Sequence, residues 1–223
     1  MARHFSTKKR GTEKIPTNPV IVLIVEGRNV TETLYFRQFN KPHTGYSIRV
    51  LASGSSTDPE GMLANLDRFW LSNELDPDKG DRGFIVLDLD CDDRKGRLIK
   101  KLEKESEIAH FVVSNPCFEV WFLLHFRYTT HAFSSSAEII RELRRFISDY
   151  EKNHDVSGIL AGHTDIAYEN AKKLVRYFED NQAQWPSNEC NPRTDVPDIL
   201  EVIRTLEMHS GASVLNEERR DVN

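Results

Sequence analysis

Glu26-Gly27 follows the apolar run Val20 to Val25, and Asp88-Leu89-Asp90 follows Phe84-Ile85-Val86-Leu87. If both runs are strands of one sheet, their carboxylates gather at a common edge and repel one another unless a cation lies between them. The chemistry this points to is binding of Mg2+ (or Mn2+). Mg2+ takes a few carboxylates, keeps several waters and leaves positions for phosphate oxygens. Asp88 and Asp90 share a face if the strand runs through both, and Glu26 serves either as a further ligand or as a proton-transfer group. Acidic residues after strands are also ordinary loop and helix-capping residues. It is the coincidence of two such ends that favours a metal. Asp92 and Asp93 extend the cluster beyond the strand, where an outer or solvated position is expected.

Glu119 interrupts an otherwise apolar stretch, Pro116 to Phe126. A helix apolar on nearly every side is buried, and an unpaired buried carboxylate is costly. Glu119 therefore needs a partner: an ion pair or helix terminus in a structural role, or a metal or proton in a catalytic one. His125 in the same stretch reads as a packing residue. The loop Ser53 to Thr57 offers Ser53, Ser55 and Thr57 hydroxyls and backbone donors to a phosphate, but it lacks the spacing of a nucleotide-triphosphate loop. Lys152, Lys172, Lys173 and Arg193 lie further along and would complete a phosphate site if the fold carries them over the sheet edge. Exposed helical lysines are the plainer alternative.

These residues must be positioned by alternating elements. Val20 to Val25 reads as a buried parallel strand, followed by a helix with Thr31 as N-cap, Glu32 in its first turn and an inward stripe of Leu34, Tyr35 and Phe39. Strands follow over Tyr46 to Ala52, Gly83 to Leu87 and Ile108 to Val113. The helices between them carry Met62, Leu66 and Trp70, then span about Gly96 to Glu107. Asn115 as N-cap and Pro116 at the first turn would open the next helix. This βαβαβαβα order predicts an α/β fold, a parallel sheet of about four strands with helices on both faces. Glu26 and Asp88 meet only if the first and third strands are neighbours, as in a flavodoxin-like order. Beyond Phe126 the segments Ser136 to Asn153, Asp165 to Asn181 and Val196 to His209 read as helices, with Trp185 to Pro197 as a loop. The expected organisation is a basic arm over 1–18, an α/β core over 19–126 and a helical C-terminal elaboration over 127–223 packed on the core.

The bulk composition agrees with a soluble protein: 39% hydrophobic and 29% charged residues, with no apolar run long enough to cross a membrane. A cytoplasmic location is expected, since the N-terminus lacks the apolar core of a secretory signal. Cys91, Cys117 and Cys190 are odd in number and form no close pair, which disfavours a disulfide framework or a zinc site. The net charge is −5, yet Arg3, Lys8, Lys9, Arg10 and Lys14 stand against only Glu13 in the first residues. Such an arm can supply sequence-independent phosphate contacts.

Glu26-Gly27, Thr31-Glu32-x-x-Tyr35-Phe36, Ser53-Gly54 to Asp58-Pro59, Asp88-x-Asp90 and above all Ser114 to Phe126 resemble the RloB-like family. Tyr150-x-Lys152, Ala171 to Leu174 and Asn191-Pro192-x-Thr194-x-Val196 resemble its later segments. The resemblance implies a Toprim-like core in which Glu26, Asp88 and Asp90 hold Mg2+ (or Mn2+); beside it, the residues themselves make Glu26, Glu119 and Lys152 the expected catalytic groups. Ser53, Ser55, Thr57, Lys172 and Arg193 would contact phosphate. It further implies a metal-dependent nuclease acting on RNA or DNA, a toxic effector of antiphage or abortive-infection systems. Its expected partners are nucleic acid, a defence-associated ATPase and a second copy of the chain. The rival expectation is a non-catalytic module that binds metal or nucleotide and docks on such an ATPase. A receiver-type binding module is another way to use acids at strand ends.

Overall fold

The computed structural model describes residues 18–26, 30–42, 44–54 and 56–220, with backbone alone over 210–220. The basic arm, Gly27 and Ser55 lie outside the described residues. The elements run β1 (Val20–Val25), α1 (Val30–Arg37), β2 (Ser47–Ala52), α2 (Pro59–Ser72), β3 (Arg82–Asp88), α3 (Asp93–Glu105), β4 (Ala109–Asn115), α4 (Glu119–Leu124), α5 (Ser136–Leu143), α6 (Ser157–Leu160), α7 (Thr164–Asp180), β5 (Arg193–Thr194) and α8 (Val196–Arg220).

The sheet has five strands in the order β2-β1-β3-β4-β5. The first four are parallel, and β1 and β3 are neighbours with Val25 opposite Val86. This is the α/β class expected from the alternation of elements, consistent with a Toprim-like fold. Side chains alternate across the pleat, so β1 feeds two cores. Ile21, Leu23 and Val25 join a cluster with Tyr35, Phe36, Trp121, Leu174 and Ile203, from α1, α4, α7 and α8. Val22 and Ile24 face Met62, Leu66, Trp70, Ile99 and Leu102 of α2 and α3. Helices thus cover both faces, which is why β1 is apolar without a break. Among the described residues no helix is long and apolar enough to cross a membrane.

Several local expectations are corrected. Asn115 does not cap a helix: it closes β4, and its side chain accepts from Cys91 N (3.1 Å) and donates to the Cys190 carbonyl (3.0 Å). With that amide committed, α4 begins only at Glu119, and the Phe118 N–H before it is taken by Asp88 Oδ1 at 2.7 Å. Thr31 lies inside α1 rather than at its cap, since α1 starts at Val30 and buries Thr31, Glu32, Tyr35 and Phe36 at i, i+4 spacing. Leu34 is off that face, and Phe39 lies beyond the helix end, packed against the same core from the following turn. The helix from Ser136 stops at Leu143, and the chain turns so that Ile147 and Tyr150 are buried. The loop before α8 contains β5, antiparallel to β4 with Ser114 opposite Thr194. Its segment also packs on α3, where a Cβ on Gly96 would press into the Pro186 backbone, so only glycine permits this approach.

The end of the sheet away from Glu26 is tied by charge. His110 on β4 places Nδ1 3.0 Å from Glu103 of α3 and Nε2 3.1 Å from Asp198 of α8. Hydrogen bonds to the Asp198 and Glu103 carboxylates push its pKa up to about 10. The folded pKa lies above the unfolded value of about 6.5, so this stabilisation is complete below that value and is lost as pH rises through about 10. His110 is half exposed, and solvent screening trims the effect to about 1 kcal/mol. His110→Asn should narrow its stability deficit against wild type as the pH is raised from 6 to 10 in urea melts; a pH-independent deficit would show the imidazole to be neutral.

Candidate active site

Glu26 is the first residue after β1, set between β2 and β3. On the β2 side, Ser53 N donates to the Val25 carbonyl at 3.0 Å, which brings the Ser53 loop alongside Glu26. On the β3 side, Glu26 Oε2 accepts from Asp88 N at 3.1 Å. β3 ends at Asp88, and Asp90 (φ 57°) and Cys91 (φ 59°) are left-handed. Asp88 and Asp90 therefore do not share a strand face as expected, because the chain reverses between them and the cap of α3. Asp92 Oδ1 accepts from Arg94 N at 2.7 Å, so Asp92 is that cap, and Asp93 accepts from Asn188 N at 2.7 Å.

Starting α3 at Asp93, earlier than the expected Gly96, puts Lys95 in its first turn. Its ammonium lies 3.4 Å from Glu26 Oε1 and 3.2 Å from Asp90 Oδ2. Lys95 and Glu26 are 14% and 17% exposed in their side chains, against 62% for Asp90. Two of the predicted carboxylates thus converge on one cation, which the chain itself supplies.

Asp88 accepts from Phe118 N through Oδ1 and lies between Glu26 and a buried polar cluster. Desolvation holds its carboxyl well above the usual range, reinforced by the negative charges of Glu32, Glu119 and Glu26 and opposed by Lys152. Glu119 is 1% exposed; its Oε1 accepts from Tyr150 OH at 3.2 Å and pairs with Lys152 Nζ at 3.5 Å. Its Oε2 is buried without a hydrogen-bond partner among the described residues. Burial and then the charge of Glu119 push the Tyr150 phenol up, and burial followed by Glu119 and Asp88 does the same to the Cys117 thiol. Burial works against the Lys152 ammonium, but Glu119 and Asp88 outweigh it and its pKa is raised. Thr31 Oγ1 accepts from Asn153 N at 3.3 Å, fastening α1 to the segment that carries Lys152.

Of the predicted phosphate contacts, Ser53 is buried beside Glu26 and Thr57 is exposed at the end of the same loop, while two others are placed elsewhere. Lys172 and Arg193 line a cavity of about 350 Å³ between α7, β5 and α8 that contains none of Glu26, Asp88, Asp90 and Glu119. Lys172 lies 4.6 Å over the Tyr168 ring, and Arg193 lies 4.4 Å over Trp185 and 3.5 Å from Asp195. His125 is buried as expected for a packing residue, with Nδ1 2.9 Å from the Trp121 carbonyl. The three cysteines are free.

Sequence reasoning missed Lys95 and the burial of Glu32. The signal for Lys95 was Asp92 as a capping residue with Asp93 after it; for Glu32 it was the i, i+4 relation to Phe36.

Among the described residues no three His, Cys, Asp or Glu side chains form a ready metal-binding group. The donors nevertheless suit a hard divalent ion: Mg2+ is ordinarily held by one or two carboxylates with waters and substrate phosphates, and Glu26 and Asp90 already share a cation. Asp88 and the unpartnered Glu119 Oε2 offer further oxygens near that edge.

Fold and site together describe an α/β protein, consistent with a Toprim-like fold, with an acidic edge at the carboxyl ends of adjacent parallel strands, the usual ligand position in such sheets. Residues 21–203 match the model of the RloB-like protein family, and the chain belongs to that family. Comparison with curated proteins and with solved structures returns no match.

Proposed function

We propose that the chain is a Mg2+-dependent nuclease that hydrolyses phosphodiester bonds of RNA or DNA, acting as the toxic effector of an antiphage or abortive-infection system with an ATPase partner. The observation that supports this reading is the sharing of one cation by Glu26 and Asp90, with Asp88 and Glu119 held behind them. Mg2+ (or Mn2+) bound at this edge would polarise a phosphate oxygen and acidify a water molecule.

In this reading Glu26, Asp88 and Asp90 supply the oxygens that hold the ion. Glu119, whose Oε2 has no hydrogen-bond partner among the described residues, would accept the proton of the attacking water once the site opens to substrate. Lys152 pairs with Glu119 Oε1 at 3.5 Å and, at 40% exposure, leaves its ammonium open to an approaching phosphodiester. Thr57, exposed in the loop that begins at Ser53 beside Glu26, would offer its hydroxyl to the next phosphate.

Incubating the full chain with single- and double-stranded RNA and DNA, with Mg2+ or Mn2+ or with chelator, tests the reading. Cleavage should occur only with the divalent ion; cleavage surviving the chelator refutes the metal role. A second reading draws on the same ion pair: if Lys95 permanently neutralises the edge, the module binds without cutting. Nucleic-acid or nucleotide binding with no cleavage, even with the ATPase present, would favour it.

A further inference from the structure

Among the described residues at this edge, Lys95 has no part in the proposed chemistry, and its geometry argues for a role. Its ammonium lies within 3.4 Å of one oxygen each from Glu26 and Asp90, residues that follow different strands. Its root is fixed: Asp92 caps α3 three residues before it, and Gly96 immediately after it abuts the Pro186 backbone. The head is movable, because four methylenes separate it from that root.

Resting on the metal reading above, we infer that Lys95 is a tethered competitor for the divalent ion, occupying Glu26 and Asp90 until the ion displaces it. Mg2+ binds oxygen at about 2.0–2.1 Å, so an ion on the two oxygens and an ammonium between them exclude one another. Charge gives the sign. Glu26 and Asp90 contribute two negative charges, of which Lys95 cancels one, so an arriving cation meets a half-neutralised site. The Lys95–Glu26 contact is partly desolvated, which strengthens it relative to open water, whereas Asp90 is well exposed. Displacement needs only a side-chain swing. The consequence is regulatory: the edge stays charge-balanced at low free metal and engages the ion only above a threshold that Lys95 sets.

Calorimetric titration of the full chain with Mn2+ alone tests this without recourse to activity. Lys95→Met and Lys95→Gln should each bind Mn2+ about tenfold more tightly than wild type, equivalent to about 1.4 kcal/mol. Their metal-free forms should melt below wild type, and added Mn2+ should raise their melting temperature more than it raises that of wild type. Asp90→Asn should bind most weakly. If wild type binds Mn2+ and both Lys95 variants bind it equally or more weakly, the competitor role is overturned while the metal reading stands. If none of the proteins binds Mn2+, both are overturned.

Discussion

Asp88→Asn should melt at or above the wild-type temperature while losing metal-dependent cleavage by at least about a hundredfold. The two effects have one origin. Desolvation and the charges of Glu32, Glu119 and Glu26 all oppose ionisation of Asp88, so the folded chain bears a cost for keeping a carboxyl there. Asparagine retains an oxygen to accept from Phe118 N–H, the 2.7 Å bond that opens α4, and its amide can donate to the surrounding carboxylates. Stability therefore holds or rises as the acidic edge loses a ligand. A melt and a cleavage assay on the same preparation check this. A fall of many degrees would assign Asp88 to the framework, and undiminished cleavage would remove it from the site.

The second large effect is expected at Lys152. Lys152→Met removes the ammonium opposite Glu119 and leaves a carboxylate that is 1% exposed facing Asp88 and Glu32. Stranding one member of a buried pair costs about 3–5 kcal/mol. Partial exposure of the lysine reduces this to about 2 kcal/mol. Adding Glu119→Gln to Lys152→Met should recover most of the lost stability, because the stranded charge is then gone, while cleavage stays abolished. Urea denaturation of the two single variants and the double variant gives the coupling directly. A double variant as unstable as the sum of its parts would show that Lys152 and Glu119 do not act as a pair.

What could be read from the chain alone follows from the range of the interactions involved. The unbroken apolar run before Glu26 and the shorter one before Asp88 are local signals, and so is a glutamate set among Phe118, Val120, Trp121 and Phe122. The adjacency of β1 and β3 followed from requiring the carboxylates to meet at all. Lys95 was hidden by a three-residue uncertainty in where α3 begins, enough to turn a first-turn lysine into a loop residue. β5, at two residues, is too short for any period to show. Lys172 looked free although Tyr168 stands at i, i+4 on the same expected helix, whereas Arg193 looked free because Trp185 becomes its partner only in three dimensions.

The cluster that joins Ile21, Leu23 and Val25 to Leu174, Ile199 and Ile203 runs through α4, every residue of which is buried. A chain cut after Phe126 would leave Trp121, Phe122 and Leu124 facing water and would strip Glu119 of both Tyr150 and Lys152. The sheet with its acids is thus no portable cassette. Recombination between relatives can exchange surface segments, but the first half and the last helices must be inherited together.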